Sequence, residues 1–228
     1  MHTFPRVTLT FDNGPEAQVT PGVVECLARH GIRATFFVMG RKAATAEGAA
    51  QIREAGAAGH RIGNHTYSHT TPLGELDRAA ALAEFEKTEK ALAWLEQPQR
   101  YFRPYGRAGR LGRHLLHPAV VERLVAGRYT CVLWNSVPGD WRDPQGWVAR
   151  AMEDCRRRPW SLVVLHDTPT GAMAHLDEFI RRVRDEGWEI VQDYPAECMP
   201  IVEGNVVGPI EEYSGAEFVH RKSGRDPI

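Results

Sequence analysis

The sequence predicts an α/β fold on a parallel sheet, either a (β/α) barrel slightly short of eight units or an open doubly wound sheet. Three observations predict it. Short apolar runs alternate with longer segments of helical period. About seven such runs fit within the 228 residues, in the size range of such folds. Polar residues with chemical potential also fall where the runs end, the place where barrel enzymes carry their chemistry.

The first strand is 6–11 (Arg6-Val-Thr-Leu-Thr-Phe11), followed by a helix over 21–30 that Gly31 ends, as C-cap chemistry favours. The second strand, 33–38 (Arg33-Ala-Thr-Phe-Phe-Val38), leads to a helix over 46–58 and a third strand at 60–63. The next helix, 75–95, carries Leu76, Ala80, Ala83, Lys87, Ala91 and Leu95 at steps of three and four. Strands at 100–103, 129–134 and 161–165 alternate with helices over 113–126, 145–157 and 174–186. Gly187 then precedes a last strand, 188–191. Residues 1–191 thus read as one barrel-like domain. Residues 192–228 show no clear period and are rich in Pro and Gly (Pro195, Pro200, Gly204, Gly208, Pro209). They are expected to form an irregular extension packed on the barrel or on a second copy of the chain, a route to a homo-oligomer.

Composition excludes several function classes. Twenty-eight basic against twenty-nine acidic residues leave a formal charge of −1, so no nucleic-acid or anionic-membrane partner is indicated. No apolar stretch approaches a membrane span, and the first residues lack the regions of a secretory signal, so a cytoplasmic location is expected. Cys26, Cys131, Cys155 and Cys198 form no CxxC pair and read as reduced thiols. No GxGxxG or phosphate loop follows the first strand, which disfavours nucleotide binding.

The informative residues lie at strand ends. The first strand runs into Asp12-Asn-Gly-Pro15, the third into Asn64-His-Thr-Tyr-Ser-His69 and the fourth into Arg103-Pro-Tyr-Gly106. Asp140-Trp141 follows the fifth and His166-Asp167 the sixth. Each alone has an ordinary explanation. Asp-Asn-Gly-Pro is a strong turn sequence, an arginine after two aromatics is usually a surface ion-pair former, and a histidine ending a buried strand is often a satisfied core residue. His65 and His69 stand four apart, which suits one helical face or two arms of a loop gripping a metal. Five such features at successive strand ends describe one convergent pocket.

In this order, Thr10-Phe-Asp-Asn-Gly-Pro15, His65-Thr-Tyr-Ser-His69, Arg103-Pro-Tyr105, Asp140-Trp141 and Leu165-His-Asp167 resemble the motifs of the polysaccharide deacetylase family, also called the NodB-homology or carbohydrate esterase family 4 domain. The resemblance spans about residues 6–191 and implies a distorted (β/α) barrel of about seven parallel strands. By resemblance Asp12 is the catalytic base, Arg103 holds it, His166 is the general acid and Asp140 tunes that histidine. Tyr105 supplies an oxyanion-binding backbone N–H, and Trp141 and Leu165 wall the acetyl methyl group. His65, His69 and Asn13 are the implied ligands of a divalent metal, zinc or a similar ion.

The chain departs from the family pattern in three places. Asn13 replaces a ligand aspartate, which removes one negative charge and weakens the hold on a cation. Arg103-Pro-Tyr105 is one residue shorter than the common Arg-Pro-Pro-Tyr form. Val137-Pro-Gly139 precedes Asp140 where another acid is common. The resemblance implies a hydrolase that removes an acetyl or formyl group from an N-acylated sugar, oligosaccharide or small amide through a metal-activated water. Two alternatives stand beside it: a metal-free, allantoinase-like amide hydrolase and a catalytically silent saccharide-binding protein.

Overall fold

Alternation along the first strand sorts the two layers of the fold. In the computed structural model, which describes residues 5–215, Val7, Leu9 and Phe11 of β1 (Arg6–Asp12) pack outward into a core shared with helices. Thr8, Thr10 and Asp12 point to the opposite face, as the two-residue period of a strand requires. There Trp160 Nε1 donates to the Thr8 hydroxyl at 2.9 Å, and Arg103 donates to both Thr10 and Asp12.

Around β1 the sheet runs β6 (Trp160–His166), β1, β2 (Thr35–Val38), β3 (Arg61–Asn64), β4 (Arg100–Phe102) and β5 (Tyr129–Cys131), all parallel. β7 (Glu189–Val191) pairs in parallel with residues 6–8 of β1, while β2 takes residues 10–12. Beyond β5 the chain reaches Ser136, whose N–H donates to Leu162 O at 3.1 Å and whose carbonyl accepts from Val164 N at 3.0 Å. That single bridge joins the two edges and curls the sheet into a distorted barrel, so the seven expected strands are all present.

The helices cover the outside: α1 (Thr20–Arg29), α2 (Gly40–Ala43), α3 (Ala46–Ala57), α4 (Arg78–Ala91), α5 (Pro118–Ala126), α6 (Trp147–Arg156) and α7 (Leu176–Asp185). The two longest delays against the expected starts, in α4 and α5, arise because local chemistry sets the start. The Asp77 side chain caps α4 by accepting from Ala80 N at 2.8 Å, and Pro118 opens α5. The short α2 was not anticipated. Gly31 and Gly187 follow α1 and α7 with φ of 64° and 74°, the left-handed stops expected of them.

Residues 192–215, expected to be irregular, contain a hairpin. β8 (Ile201–Val202) lies antiparallel to β5 and turns through Glu203 and Gly204, with φ of 47° and 82°, into β9 (Asn205–Val206). Two-residue strands leave no periodic trace, but the positive-φ turn fits their twist. Tyr194, Cys198, Ile201 and Ile210 from this segment are buried in the core beside Leu124 and Cys131. The rest of the expected extension, 216–228, lies outside the described residues. All four cysteines are buried and unbonded. No described helix is long and apolar enough to cross a membrane.

One buried group on the sheet has a pH consequence. His60 accepts the Ala34 N–H at Nδ1 (3.0 Å), and burial, then the Arg33 charge, push its pKa from 6.5 down to about 4. The unfolded chain therefore binds one more proton than the fold in that window. Stability should fall as pH drops through it, by up to about 3 kcal/mol. Urea midpoints at both ends of the window should show that loss in the wild type. It should shrink in His60→Asn, which keeps an acceptor and cannot be protonated.

Candidate active site

At the carboxyl end of β1, Asp12 is held by one arginine. Arg103, immediately after β4, is fully buried. Its Nη1 donates to Asp12 Oδ1 (2.8 Å) and Thr10 Oγ1 (2.7 Å), its Nε to Val132 O (3.0 Å) and its Nη2 to Leu133 O (3.1 Å). The guanidinium also lies 4.1 Å from the Phe37 ring centroid. Every face of the cation is occupied, so Asp12 Oδ1 is fixed while Oδ2 faces the pocket histidines, 3.5 Å from His65 Nε2.

His65 and His69 lie on a loop after β3, not on a helix. Asn64 Oδ1 accepts from Thr66 N (3.0 Å), and Glu84 Oε2 accepts from Tyr67 N (3.0 Å) and Ser68 N (2.8 Å). These clamps bend the loop so that the two imidazole centroids lie 4.6 Å apart. His65 Nδ1 bonds the Arg103 carbonyl at 2.8 Å. A carbonyl only accepts, so the proton sits on Nδ1 and the Nε2 lone pair faces the pocket. Burial drives the His65 pKa down, and burial with the neighbouring His65 and His166 takes His69 to about 2. Both rings are neutral, the form that ligates metal.

Asn13 completes the group. It has a left-handed φ of 77°, lines the same cavity, and its buried Oδ1 has no hydrogen-bond partner among the described residues. His69 (φ 57°) and Ala108 (φ 52°) share that unusual backbone, so three of the six described non-glycine residues of this kind line one pocket, and Thr66 (φ 62°) lies in the loop between its two histidines. Such strain concentrates where function demands it.

Opposite these donors, His166 ends β6. Asp140, fully buried, accepts the His166 backbone N–H at Oδ2 (2.8 Å) and its Nδ1–H at Oδ1 (2.9 Å). Burial opposes charge on His166, but the Asp140 hydrogen bond and the charges of Asp140, Asp12 and Asp167 outweigh it and raise its pKa. Trp141 packs edge-on to that imidazole, with centroids 4.6 Å apart, and Tyr105 lies 4.0 Å from the His69 ring. The Tyr105 backbone N–H has no protein acceptor among the described residues.

The cavity, about 420 Å³, is lined by Asp12, Asn13, His65, His69, Tyr105, Trp141 and His166, with Trp134, Val137 and Val164 as apolar wall. Nine of the ten expected site residues therefore converge on it, Arg103 and Asp140 from behind the lining. Leu165 does not. Its fully buried side chain belongs to the outer core against the helices, and Val164 takes the place proposed for it. The reason is strand alternation: His166 faces inward, so residue 164 does too.

Several supporting residues were not foreseen. Lys42 Nζ donates to the Asn13 carbonyl at 2.6 Å and pairs with Glu16. The Thr20 hydroxyl accepts from Glu16 N (2.7 Å) and donates to Asp167 Oδ2 (2.5 Å). Asp167 lies so close under the turn that a Cβ on Gly14 would approach its Oδ2 to 2.1 Å, which is why glycine follows Asn13. The Asp167 that follows His166 was the available signal; Lys42, in a one-turn helix, offered none.

The donor set suits a divalent ion. A neutral imidazole lone pair and a carboxylate oxygen face each other at 3.5 Å with an unpartnered amide oxygen in the same pocket, an arrangement of acceptors that calls for a cation. A second group of donors, Cys26, His30 and Asp177, lies between α1 and α7. There His30 Nε2 and Arg181 already engage Asp177, at 2.7 and 2.8 Å, so that group is satisfied as an ion-pair network.

Comparison with known proteins gives the same direction. The polysaccharide deacetylase family model matches residues 2–116. A chitooligosaccharide deacetylase of Azorhizobium caulinodans is 33% identical over 168 residues, covering 71% of this chain and 73% of the relative. The peptidoglycan-N-acetylglucosamine deacetylase PgdA of Listeria monocytogenes is 27% identical over 190 residues, covering 82% of this chain; the match spans only 37% of that longer protein. Among solved structures, the Bc1960 peptidoglycan N-acetylglucosamine deacetylase superposes with a TM-score of 0.68 at 27% identity, covering 82% of this chain and 85% of that one. The curled parallel sheet, the paired histidines and these matches together place the chain in the polysaccharide deacetylase family.

Proposed function

We propose that this chain is a metal-assisted hydrolase that removes the acetyl group from N-acetylated amino sugars within an oligo- or polysaccharide. The observation that carries the reading is the disposition of Asp12 and His166 about one cavity whose third side is Asn13, His65 and His69. A divalent ion held by Asn13 Oδ1, His65 and His69 would polarise the amide carbonyl and acidify a water. Asp12, oriented by Arg103, takes a proton from the attacking water as its oxygen bonds to the carbonyl carbon. The Tyr105 N–H stabilises the oxyanion so formed. His166, protonated and held by Asp140, delivers its proton to the sugar nitrogen as the C–N bond breaks, releasing acetate and an amine. Trp141, Trp134 and Val164 exclude water around the acetyl methyl.

The test is release of acetate and free amine from N-acetylglucosamine oligomers by protein stripped of metal and then supplied with zinc or cobalt. Metal-dependent release is expected; no release under any metal, with the fold intact, overturns the reading in favour of a silent saccharide-binding protein. Full activity after exhaustive chelation overturns it in favour of metal-free amide hydrolysis. In Asn13→Asp the restored carboxylate should tighten the ion by about tenfold or more, measured by competition with a chromophoric chelator.

A further inference from the structure

Of the four asparagines in the chain only Asn13 precedes a glycine; Asn64, Asn135 and Asn205 are followed by His65, Ser136 and Val206. With no Cβ on the following residue, a main-chain nitrogen closes readily onto an asparagine side chain, which makes Asn-Gly the step most prone to deamidation. Packing demands this glycine, because a Cβ on it would meet Asp167 Oδ2 at 2.1 Å. The backbone makes no such demand for asparagine before it: the φ of 77° at position 13 is one that aspartate also adopts.

The reacting groups are unengaged. Asn13 Oδ1 has no hydrogen-bond partner among the described residues, and the side chain lines the cavity through which water would reach it. The Gly14 N–H is buried and has no main-chain acceptor among the described residues. The Asp167 carboxyl packs against Gly14 with its buried Oδ1 unpartnered among those residues, so a proton acceptor stands beside the residue whose nitrogen must lose one. The main chain on either side is pinned: Asn13 N donates to Phe37 O (3.2 Å), Lys42 Nζ to Asn13 O (2.6 Å) and Met39 N to Gly14 O (3.0 Å).

We infer that Asn13 is a site of spontaneous deamidation, and that the aspartate so formed supplies the carboxylate ligand that the amide lacks; the consequence for the ion rests on the metal-assisted reading above. The Gly14 nitrogen gives up its proton and bonds to Asn13 Cγ. The Cγ–Nδ2 bond breaks, and Nδ2 gains a proton and departs as ammonia, leaving a succinimide. Water then adds to Cγ, the bond from Cγ to the Gly14 nitrogen breaks, and that nitrogen recovers its proton. The product is a carboxylate at position 13 on an intact main chain. Water attacking the other ring carbonyl would instead give an isoaspartyl link, which inserts a methylene into a turn already pinned on both sides, so the fold favours aspartate. The chain is thus made as a weak binder of the ion and matures into a stronger one.

The experiment holds wild-type protein at mildly alkaline pH, digests it with trypsin and examines peptide 7–29 by tandem mass spectrometry and by isoaspartyl methyltransferase labelling. Aspartate should accumulate at position 13 while Asn64, Asn135 and Asn205 remain amides; aspartate already present there on isolation counts as conversion. Affinity for zinc, measured by chelator competition, should rise by about tenfold or more, to that of Asn13→Asp. Asn13→Gln, whose longer side chain closes the ring poorly, should keep both its mass and its affinity. An Asn13 that stays an amide in the folded protein, a mainly isoaspartyl product, or conversion without a gain in affinity overturns the inference. Neither readout uses turnover. Converted protein that binds zinc more tightly but releases no amine from N-acetylglucosamine oligomers therefore upholds this inference while the deacetylase reading fails. Unconverted protein with metal-dependent release overturns the inference and leaves deacetylation standing.

Discussion

Replacing Arg103 with Met should lower the stability of the chain by about 3–5 kcal/mol and abolish turnover at the same time. The guanidinium is fully buried and makes four hydrogen bonds, two to main-chain carbonyls after β5 and two to side chains of β1. It therefore ties opposite walls of the barrel together through its interior. Methionine fills most of the volume but leaves the Asp12 carboxylate, the Thr10 hydroxyl and the Val132 and Leu133 carbonyls without their donor. An uncompensated buried charge dominates that cost. Arg103→Lys keeps the charge but has one nitrogen for four acceptors, so it should fall between wild type and Met. Adding Asp12→Asn to Arg103→Met should recover part of the loss, because the stranded charge goes with it. Urea midpoints of the wild type, Arg103→Met, Asp12→Asn and the two changes together form a double-mutant cycle. A loss under about 1 kcal/mol for Arg103→Met would show that water reaches Asp12 and that the pair is not an internal strut.

How much of this was legible in the sequence differs by scale. Long-range order was: every parallel strand lies within three residues of its expected bounds, because each couples an apolar run to a helix-capping or turn signal. The convergence of Asp12, His65, Arg103, Asp140 and His166 was legible for the same reason, since their positions relative to strand ends fix their place on a barrel rim. Elements stabilised by packing were not. β8 and β9 are two residues each and exist because Ile201 seals the edge at Cys131. α2 is a single turn whose role is to present Lys42 to the Asn13 carbonyl. Leu165 lies in the outer core and Val164 on the cavity. Given His166 in the pocket, strand alternation alone selects Val164, and a contiguous Leu-His-Asp motif carries no such information about facing. Two clues to the cation site needed coordinates: the tautomer that the Arg103 carbonyl imposes on His65, and the unpartnered Asn13 Oδ1.

The alkaline side of the activity profile should belong to His166 and should move when Asp140 is neutralised. His166 has its pKa raised above 6.5, with burial opposing and the Asp140 hydrogen bond and charge prevailing. In the proposed role of acid to the leaving nitrogen it would work in its charged form, so kcat/KM should fall as pH rises through that elevated pKa. Stability carries the same sign. The raised pKa contributes fully below the unfolded value of 6.5 and is lost as pH climbs through the folded one. Asp140→Asn keeps the shape but removes the charge, and its amide can satisfy only one of the two donors that Asp140 now accepts. The His166 pKa should drop, the alkaline limb should shift to lower pH, and turnover should fall by about 10²–10⁴. A limb that stays in place would assign the titration to another group. Leaving-group chemistry separates proton delivery from simple disruption. An amine must be protonated to depart, whereas a nitrophenolate need not be. His166→Ala should therefore lose most of its activity on N-acetylated sugars and much less on an activated aryl acetate. Equal losses on both would mean that His166 shapes the pocket without donating a proton in it.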